Sequence, residues 1–390
     1  MASAEKKVAA PLEEPQIEIL VAIDDGHSEI KVAYFENGTS GPIKNFSFPS
    51  RTIRGWEEMD ATGAAPPDAY FAFDVANANP ADLAQASPML VVNRGRSGSD
   101  NENRTHDYPT SDRNRVLVNH ALHTIAAGRN VSFTLATALP YSDFHMPASG
   151  KHNVELIAKK KENIAKSVMA IEPRTLKPKT TTYSIDDQAV FSEGVATFFD
   201  CMMGYDGSSV QSNKEFAARF EHSTSYAVID IGGKTTDIVF GSWSGNFADQ
   251  TMIKTKASTS LKEGTLDAAD QLGELIKQKL ELRRVSDPEK ALFNKQISVF
   301  GELHDVSAEA DIVLDALYLK IREPLLRHLE DASDLAYVIF VGGGSMLLKE
   351  KIRTLFNPSV VLIPAQPQFA NANGMLKVMK MLHAAKAPRR

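Results

Sequence analysis

Cysteine and long apolar runs are scarce in this chain. The one cysteine among its 390 residues, Cys201, cannot form a disulfide within the chain, which fits a reducing compartment and excludes a cysteine-built metal site. No apolar stretch reaches the roughly 18 residues that a transmembrane helix needs, so we expect no membrane partner. The segment 1–16 has no apolar period and is expected to be a flexible tail.

The chain also lacks an excess of basic residues. It has 43 Lys and Arg against 49 Asp and Glu, which gives a formal net charge of −6. Because proteins that bind nucleic acid directly carry a basic patch or stripe, direct contact with DNA is not expected. Hydrophobic residues make up 43 % of the chain, which is usual for a globular protein, and the length predicts two or three domains of about 150 residues.

Two common phosphate-binding motifs are missing as well. Neither GxxxxGK(S/T) nor a GxGxxG that follows a strand occurs, which disfavours the P-loop and Rossmann arrangements. The chain instead has three segments in which an apolar strand runs into a glycine-containing turn. They read IDDGHS at 23–28, IDIGGKTTD at 229–237 and VGGGS at 341–345. Glycines at such turns allow backbone N–H groups to approach an anion closely.

The first two turns also carry an aspartate at the end of the strand, Asp24 and Asp230. An acid beside a phosphate is repulsive unless a divalent cation lies between them, so the pair predicts Mg²⁺ held through water beside a polyphosphate. The third turn has no acid and suits an uncharged partner such as a nucleoside. Each turn alone is more often a plain bend than a ligand site, but the three together are far less common by accident.

These motifs resemble those of the actin-fold ATPase superfamily, and the chain is most similar to the ParM/StbA plasmid-segregation family. The similarity runs from about Ile17 to about Leu382 and includes Asn373-Gly374-Met375 at the start of the last helix. The resemblance implies nucleotide binding by these residues: Asp24, Asp25, Gly26, His27, Ser28, Lys31, Gly232, Gly233, Lys234, Thr235, Thr236, Asp237, Gly342, Gly343, Gly344 and Ser345.

The implied fold is α/β and two-lobed, a duplicated ribonuclease-H-like arrangement with a central nucleotide cleft. Its domains are expected at 17–222, with a loop-rich subdomain at about 45–110, and at 223–372, with a helical subdomain at about 255–333. The segment 373–390 is expected to return to the first domain as a helix. The implied cofactors are ATP, with GTP still open, and Mg²⁺.

The water-activating residue is expected in VFSEGVA at 190–196, which resembles the ParM segment whose glutamate positions the attacking water. By that match Glu193 is catalytic together with Asp230, and Gln188 is the alternative. A plainer interpretation is that Glu193 stabilises the following helix through its dipole. His27 and Lys234 stand where the family usually has small hydroxyl residues. Lys234 either adds charge near the terminal phosphate or points outward, and we favour the outward orientation.

The resemblance implies an ATPase that polymerises with ATP into dynamic filaments and segregates plasmid DNA. The expected partners are further copies of the chain and a DNA-binding adaptor at a centromere-like plasmid site, in the bacterial cytoplasm. Two alternatives from other classes stay open: a small-molecule kinase on the same fold, and a scaffold or switch that uses ATP without forming filaments.

Periodicity predicts the elements that carry these motifs. Strands are expected at 17–23, 29–35, 131–139, 226–229 and 337–341, and helices at 113–127, 153–169, 266–282, 308–329 and 373–385. The lysine run 159–161 is expected on a solvated helix face. His120 and His123 have a metal-like spacing, but packing is the favoured interpretation because no further ligand completes a site. The segment 262–264 is a candidate for the base contact.

Overall fold

Two five-stranded sheets with the same strand order form the framework of the protein, seen here in a computed structural model. The structure describes residues 16–54, 69–72, 89–91, 107–146, 149–171, 183–245, 254 and 257–386. The expected flexible tail, except its last residue Gln16, and most of the expected loop-rich subdomain lie outside these residues. Among the described residues, no helix combines the length and the apolarity of a membrane span.

The strands, in chain order, are β1 (Ile17–Asp25), β2 (Glu29–Phe35), β3 (Ile43–Pro49), β4 (Thr52–Arg54), β5 (Ala69–Phe71), β6 (Met89–Val91), β7 (Val131–Leu139), β8 (Met169–Ala170), β9 (Tyr183–Ser192), β10 (Met203–Tyr205), β11 (Val210–Ser212), β12 (Ser225–Ile231), β13 (Thr236–Ser242), β14 (Thr259–Leu261), β15 (Gln296–Val299), β16 (Glu302–Asp305), β17 (Leu335–Val341) and β18 (Val361–Leu362). The helices are α1 (Asp112–Ala126), α2 (Tyr141–Phe144), α3 (Val154–Ala165), α4 (Val195–Met202), α5 (Lys214–Ala218), α6 (Thr265–Lys279), α7 (Pro288–Asn294), α8 (Ser307–Leu329), α9 (Gly343–Leu347), α10 (Lys349–Ile352) and α11 (Ala370–Lys386). Short 3-10 turns lie at Tyr108–Thr110, Arg219–Glu221 and Pro367–Phe369.

The two large sheets repeat one topology. The first has the order β3-β2-β1-β7-β9 and the second β14-β13-β12-β17-β18. In each sheet the first three strands in the chain pair antiparallel. The fourth strand pairs parallel with the strand that opened the sheet, and the fifth pairs parallel with the fourth. This repetition is the duplicated arrangement that the sequence predicted.

The central strands are apolar because they are covered on both faces. From Ile19 onward β1 is buried throughout, and so is all of β17. Continuous burial is typical of strands that lie between helical layers, whereas a half-exposed strand alternates. The turn after such a strand is therefore the first point at which the chain can present polar groups to a ligand. That is where the aspartates and glycines occur.

Two helices connect the sheets to each other. Helix α11 packs on β1 and β7 of the first sheet, with Met375 and Leu376 in the same core as Leu20 and Ala136. It also packs along α4, whose Phe198 stacks on Tyr226 of the second sheet at 3.9 Å between ring centroids. The helix at the carboxyl end thus packs against the first sheet, and it begins at Ala370 rather than at the expected Asn373.

Most predicted elements agree with the observed ones, but the helix expected at 153–169 ends at Ala165, and Met169 begins β8. The strand at 131–139 is confirmed residue for residue, and the helix at 308–329 begins one residue earlier, at Ser307. The sequence patterns did not indicate the edge strand β3, which is mostly half-buried, or the hairpin of β15 and β16, which is mostly exposed. The domain boundaries remain a prediction.

Candidate active site

The glycine turns of the two sheets are in direct contact. The hairpin of β1 and β2 bends at 26–28, and the hairpin of β12 and β13 bends at 232–235, where the N–H of Gly232 donates to the carbonyl of Thr235 over 2.9 Å. A Cβ atom placed on Gly233 would lie 2.6 Å from Cβ of Ser28, so a side chain at Gly233 would force the turns apart. The two turns therefore form one crevice.

Some of the predicted residues line this crevice, and the others lie outside it. Those that line its narrow end are Asp24, Asp25, Gly26, His27, Ser28, Lys31, Glu193, Asp230, Gly232, Gly233, Lys234 and Thr235. Tyr108 and Lys160, which the sequence did not single out, line the same end. Lys234 is half-buried and is among the residues at this end, and the outward orientation of its side chain stays a prediction. Gln188 does not line the crevice.

Lys31 is the cation at the centre of a cluster of acids. Its Nζ lies 3.4 Å from Oδ2 of Asp24, the residue paired with it across the hairpin. Burial opposes the charge of Lys31, but Asp24, Asp230 and the neighbouring glutamates outweigh burial and raise the pKa of Lys31 above its usual value. Asp24 and Asp230, one from each turn, line the same end of the crevice as Lys31.

Glu193 lies between the two turns, directly after β9. Its backbone N–H donates to the carbonyl of Leu139 over 2.9 Å, which fixes it at the end of β7. Burial, followed by the charges of Asp24 and Asp237, raises the pKa of Glu193 well above its usual value. A carboxylate with a raised pKa is a stronger base than an exposed one, as a group that accepts a proton from water must be.

Asp230 receives a hydrogen bond that the sequence did not indicate. The side-chain amide of Asn371, at the start of α11, donates to Oδ2 of Asp230 over 2.7 Å. Burial raises the pKa of Asp230 to about 6, the charge of Asp24 adds to this, and Lys31 and Asn371 oppose it. Asp230 is 7 % exposed, so its charge is poorly solvated unless a cation approaches.

Asp237 and Thr236 are turned toward protein rather than toward the crevice. Asp237 accepts hydrogen bonds from the hydroxyl of Ser260 and, over 3.3 Å, from the backbone N–H of Tyr141 in the first lobe. The hydroxyl of Thr236 donates to the carbonyl of Glu263 over 2.9 Å. Burial raises the pKa of Asp237 to about 7. We therefore assign both residues to holding the second turn rather than to phosphate contact.

Asp25 and Lys160 form a buried ion pair behind the first turn. Nζ of Lys160 lies 2.6 Å from Oδ2 of Asp25 and donates to the carbonyl of Ala138 over 2.6 Å. Asn114 also donates to Oδ2 of Asp25, over 2.6 Å. Lys160 is 1 % exposed, so its expected place on a solvated helix face is wrong. The Asp25 carboxylate is occupied by protein groups and serves to position the turn.

The third turn borders, through Gly343, a wider cavity that shares Ser28 and Gly233 with the crevice. Gly342 has φ +82° and its N–H donates to the carbonyl of Pro367 over 3.1 Å, while Ser345 is buried and its hydroxyl donates to the carbonyl of Gly342 over 2.8 Å. Gly343 lines a cavity of 290 Å³ opposite Phe293. The cavity volume is close to the lower end for small-molecule sites, and its walls are both apolar and polar.

The segment 262–264 supports the second turn. A Cβ on Gly264 would collide with the carbonyl of Gly233, so only glycine allows this close approach. Glu263 pairs with Lys320 of α8 over 3.0 Å. The role of this segment in contacting a base stays a prediction.

The charges of the crevice fit a magnesium-bound polyphosphate. Asp24, Asp230 and Glu193 line the same end of the crevice as Lys31, and burial, with the charges of neighbouring acids, raises the pKa of Glu193 and Asp230. A divalent cation would offset that surplus and allow phosphate to lie against the glycine turns. Among the described residues, no group of three or more His, Cys, Asp and Glu side chains forms a ready-made metal site. Mg²⁺ commonly binds through one or two carboxylates, phosphate oxygens and water, which matches this donor set.

Comparison with solved structures decides the fold. An archaeal actin homologue, Ta0583, superposes with a TM-score of 0.66 at 18 % identity over 93 % of this chain and 99 % of its own. The protein has the actin fold. The predicted two-lobed α/β arrangement is therefore confirmed, and the similarity to these proteins is one of fold.

Further comparisons agree with this fold. A 15-stranded ParM filament from Clostridium botulinum matches with a TM-score of 0.66 at 18 % identity over 94 % of this chain and 100 % of its own. The actin-like protein Alp7A matches with a TM-score of 0.69 at 16 % identity over 95 % and 98 %. Residues 228–354 of the actin-fold protein match the family described as archaeal actin homologue MreB-like, C-terminal. A search of curated protein sequences found no significant match.

Proposed function

We propose that this actin-fold protein binds MgATP in the crevice between its lobes and hydrolyses it. The observation that carries the proposal is the contact between Ser28 and Gly233, which brings two anion-binding turns and their acids to one point. A structure of Ta0583 in complex with ADP gives an adenine nucleotide in a protein of the same fold. The 290 Å³ cavity beside Gly343 would take the nucleoside.

The turns, Lys31 and the acids around the crevice have distinct roles in this proposal. The backbone N–H groups of the turns at 26–28 and 232–235 bind phosphate oxygens, and Lys31 adds a positive charge between them. Asp24 and Asp230 hold water molecules of the metal's hydration shell. A bound Mg²⁺ would neutralise charge that develops on the phosphate oxygens.

Glu193 accepts the proton of the attacking water at its carboxylate. Its position after β9 is fixed by the hydrogen bond from its N–H to Leu139, and its raised pKa suits a base. The plainer interpretation, a helix-dipole contact, is less well supported because Glu193 lies near three other acids that a purely structural carboxylate would avoid. Gln188 has no access to the crevice and is not assigned this role.

The assembly that we propose is a filament of head-to-tail copies, formed with ATP and weakened by hydrolysis. Contacts of this kind do not close on themselves and so generate polymers. The fold shared with a ParM filament and with Alp7A supports this assembly. The ParM-like role, segregation of plasmid DNA in the bacterial cytoplasm through a DNA-binding adaptor, belongs to the same proposal.

Phosphate release and sedimentation, measured together, test the function. We expect the purified chain to release phosphate from MgATP without an added acceptor and to form a pelletable polymer with a non-hydrolysable ATP analogue. ADP formation that requires an added sugar or acid, with the phosphate transferred to that acceptor rather than released, would establish a kinase. Hydrolysis without polymer at any protein concentration would establish a switch. Competition between ATP and GTP for the site identifies the base.

A further inference from the structure

A set of side chains bridges the two lobes beside the nucleoside cavity. The hydroxyl of Ser28 donates to Oε2 of Glu289 over 2.8 Å, and Nη2 of Arg51 lies 2.6 Å from Oε1 of the same carboxylate. Arg51 also lies 3.6 Å from Oδ1 of Asp287. Ser28 and Arg51 belong to the first lobe, while Glu289 belongs to α7 of the second. We call Ser28, Arg51 and Glu289 the clasp.

The backbone holds both halves of the clasp in place. On the first lobe, the N–H of Ser50 donates to the carbonyl of Ser28 over 2.9 Å, so the residue before Arg51 is tied to the phosphate turn. On the second lobe, Asp287 caps α7 by accepting the N–H of Lys290 over 3.0 Å, and Glu289 follows in the first turn. The clasp is therefore not a chance contact between mobile surface groups.

The clasp uses a group that the proposed nucleotide site also needs. Ser28 lines both the narrow crevice and the wider cavity, and it touches Gly233 of the opposite turn. A serine hydroxyl has a single proton to donate. It can therefore donate to Glu289 or to a phosphate oxygen, but not to both.

We propose that Glu289 and Arg51 are positioning residues that hold the Ser28 hydroxyl across the cleft until the phosphate chain of a nucleoside triphosphate takes it. The inference rests on the proposed nucleotide site. Nucleotide binding then opens the clasp, and the carboxylate of Glu289 keeps Arg51 as its partner. Because coupling between two equilibria is reciprocal, the closed clasp weakens triphosphate binding by the same factor by which bound triphosphate weakens the clasp.

A double-mutant cycle separates this effect from the general charge of the cleft. The four proteins are the wild type, Ser28→Ala, Glu289→Ala and the double variant, and the measurement is the Kd for a fluorescent, non-hydrolysable ATP analogue with Mg²⁺. The hydrogen bond from Ser28 to the charged Glu289 competes with binding of the ATP analogue. A bond of this kind is strong enough that its removal should lower the Kd for the analogue about tenfold. We expect this gain for Glu289→Ala in the wild-type background and none in the Ser28→Ala background.

Two controls complete the experiment. Glu289→Gln keeps an oxygen that can accept from Ser28 but loses the ion pair with Arg51, so its Kd should lie between those of the wild type and Glu289→Ala. Glu302→Ala removes an exposed acid from the same lobe and should leave the Kd unchanged. Unfolding temperatures of all variants confirm that each protein is folded.

The outcomes distinguish the clasp from the site on which it depends. An equal gain in affinity from Glu289→Ala in both backgrounds would show a general charge effect and would overturn the clasp. The absence of a gain in both backgrounds would also overturn it. A wild-type protein that does not bind the analogue at all would instead refute the proposed nucleotide site.

Discussion

Asn371 connects Asp230 to the segment that carries Glu193. Its Nδ2 donates to Oδ2 of Asp230 over 2.7 Å, and its Oδ1 accepts from the N–H of Gly194 over 3.1 Å and from the hydroxyl of Thr197 over 2.9 Å. Asn371 is 5 % exposed. One buried amide thus sets the distance between a proposed metal-binding acid of the second lobe and the proposed base of the first.

Asn371→Ala should lower kcat while leaving the nucleotide KM nearly unchanged. A displacement of about 1 Å between catalytic groups can cost about 100-fold in rate, so we expect a loss of roughly tenfold to 100-fold in steady-state ATPase assays. Asn371→Asp should not rescue activity, because it places a second carboxylate against Asp230. Asn373→Ala, on the same helix and bonded to Asn45, is the matched control and should retain normal kcat.

Glu193→Gln should bind the ATP analogue with normal affinity but hydrolyse ATP at least about 100-fold more slowly, because the amide can orient water but cannot accept its proton. Single-turnover phosphate release measures the chemical step directly. Gln188→Ala should hydrolyse at the wild-type rate. Normal turnover by Glu193→Gln would remove Glu193 from the proposed base role, and a slow Gln188→Ala would restore the alternative.

Removal of either partner of the Asp25–Lys160 pair should destabilise the fold. Breaking a buried ion pair leaves a charge without a partner and costs about 3–5 kcal/mol, whereas replacing both partners is often close to neutral. We therefore expect Lys160→Met to lower the free energy of unfolding in urea and Lys160→Met/Asp25→Asn to recover most of the loss. Lys159→Met changes the neighbouring, exposed lysine and should have no measurable effect.

The double variant also tests whether the pair does more than stabilise. If it folds stably yet binds MgATP much less tightly, then the charge of the pair positions the first phosphate turn. Equal destabilisation by the single and double variants would contradict the account of a mutually neutralising pair.

Asp230 should make the nucleotide-free protein less stable as the pH rises. Its folded pKa of about 6 lies above the value of about 3.9 in an unfolded chain. The folded state therefore holds the proton more tightly, so this contribution to stability is fully present below about pH 4 and is lost as the pH rises through 6. Asp230→Asn should raise the free energy of unfolding by about 1–3 kcal/mol at pH 7.5 and much less at pH 4.5.

Thermal unfolding with a chelator and without nucleotide measures this difference. Asp334→Asn, at an exposed position, is the control for loss of one negative charge and should show no such pH dependence. The same Asp230→Asn protein should lose magnesium-dependent ATP binding, because it lacks the carboxylate that we propose holds the metal's hydration shell. A carboxylate with such a role can be retained although it lowers the stability of the fold. A stability gain that is equal at both pH values would contradict the raised pKa.

The sequence predicted the parts of the site that are contiguous in the chain. A buried strand followed by a short polar turn is a local pattern, and it occurs three times with the residues that phosphate and nucleoside need. Strand β7 and helix α8 were placed correctly for the same reason, since their periodicity is local. The sequence predicted that the aspartates of the first two turns share one metal, but it did not predict the meeting of Ser28 and Gly233, because no local pattern reports which residues of two distant turns touch.

Lys160 and Asn371 show what the sequence patterns left out. Lys160 shares a helix face with Ile157 and Ile164 through the spacings i, i+3 and i, i+7, so the apolar stripe carried a signal that the lysine run obscured. Asn371 stands in an Ala-Asn-Ala-Asn stretch without any comparable signal. The clasp joins three separate segments, and its pairing depends on how the lobes pack.

The most direct test of the account is a crystal structure with Mn²⁺ in place of Mg²⁺ and a non-hydrolysable ATP analogue. The account predicts one anomalous peak between Asp24 and Asp230, with the phosphate chain on the backbone N–H groups of the turns at 26–28 and 232–235. A nucleotide bound elsewhere, or a metal that contacts neither aspartate through water nor directly, would contradict it.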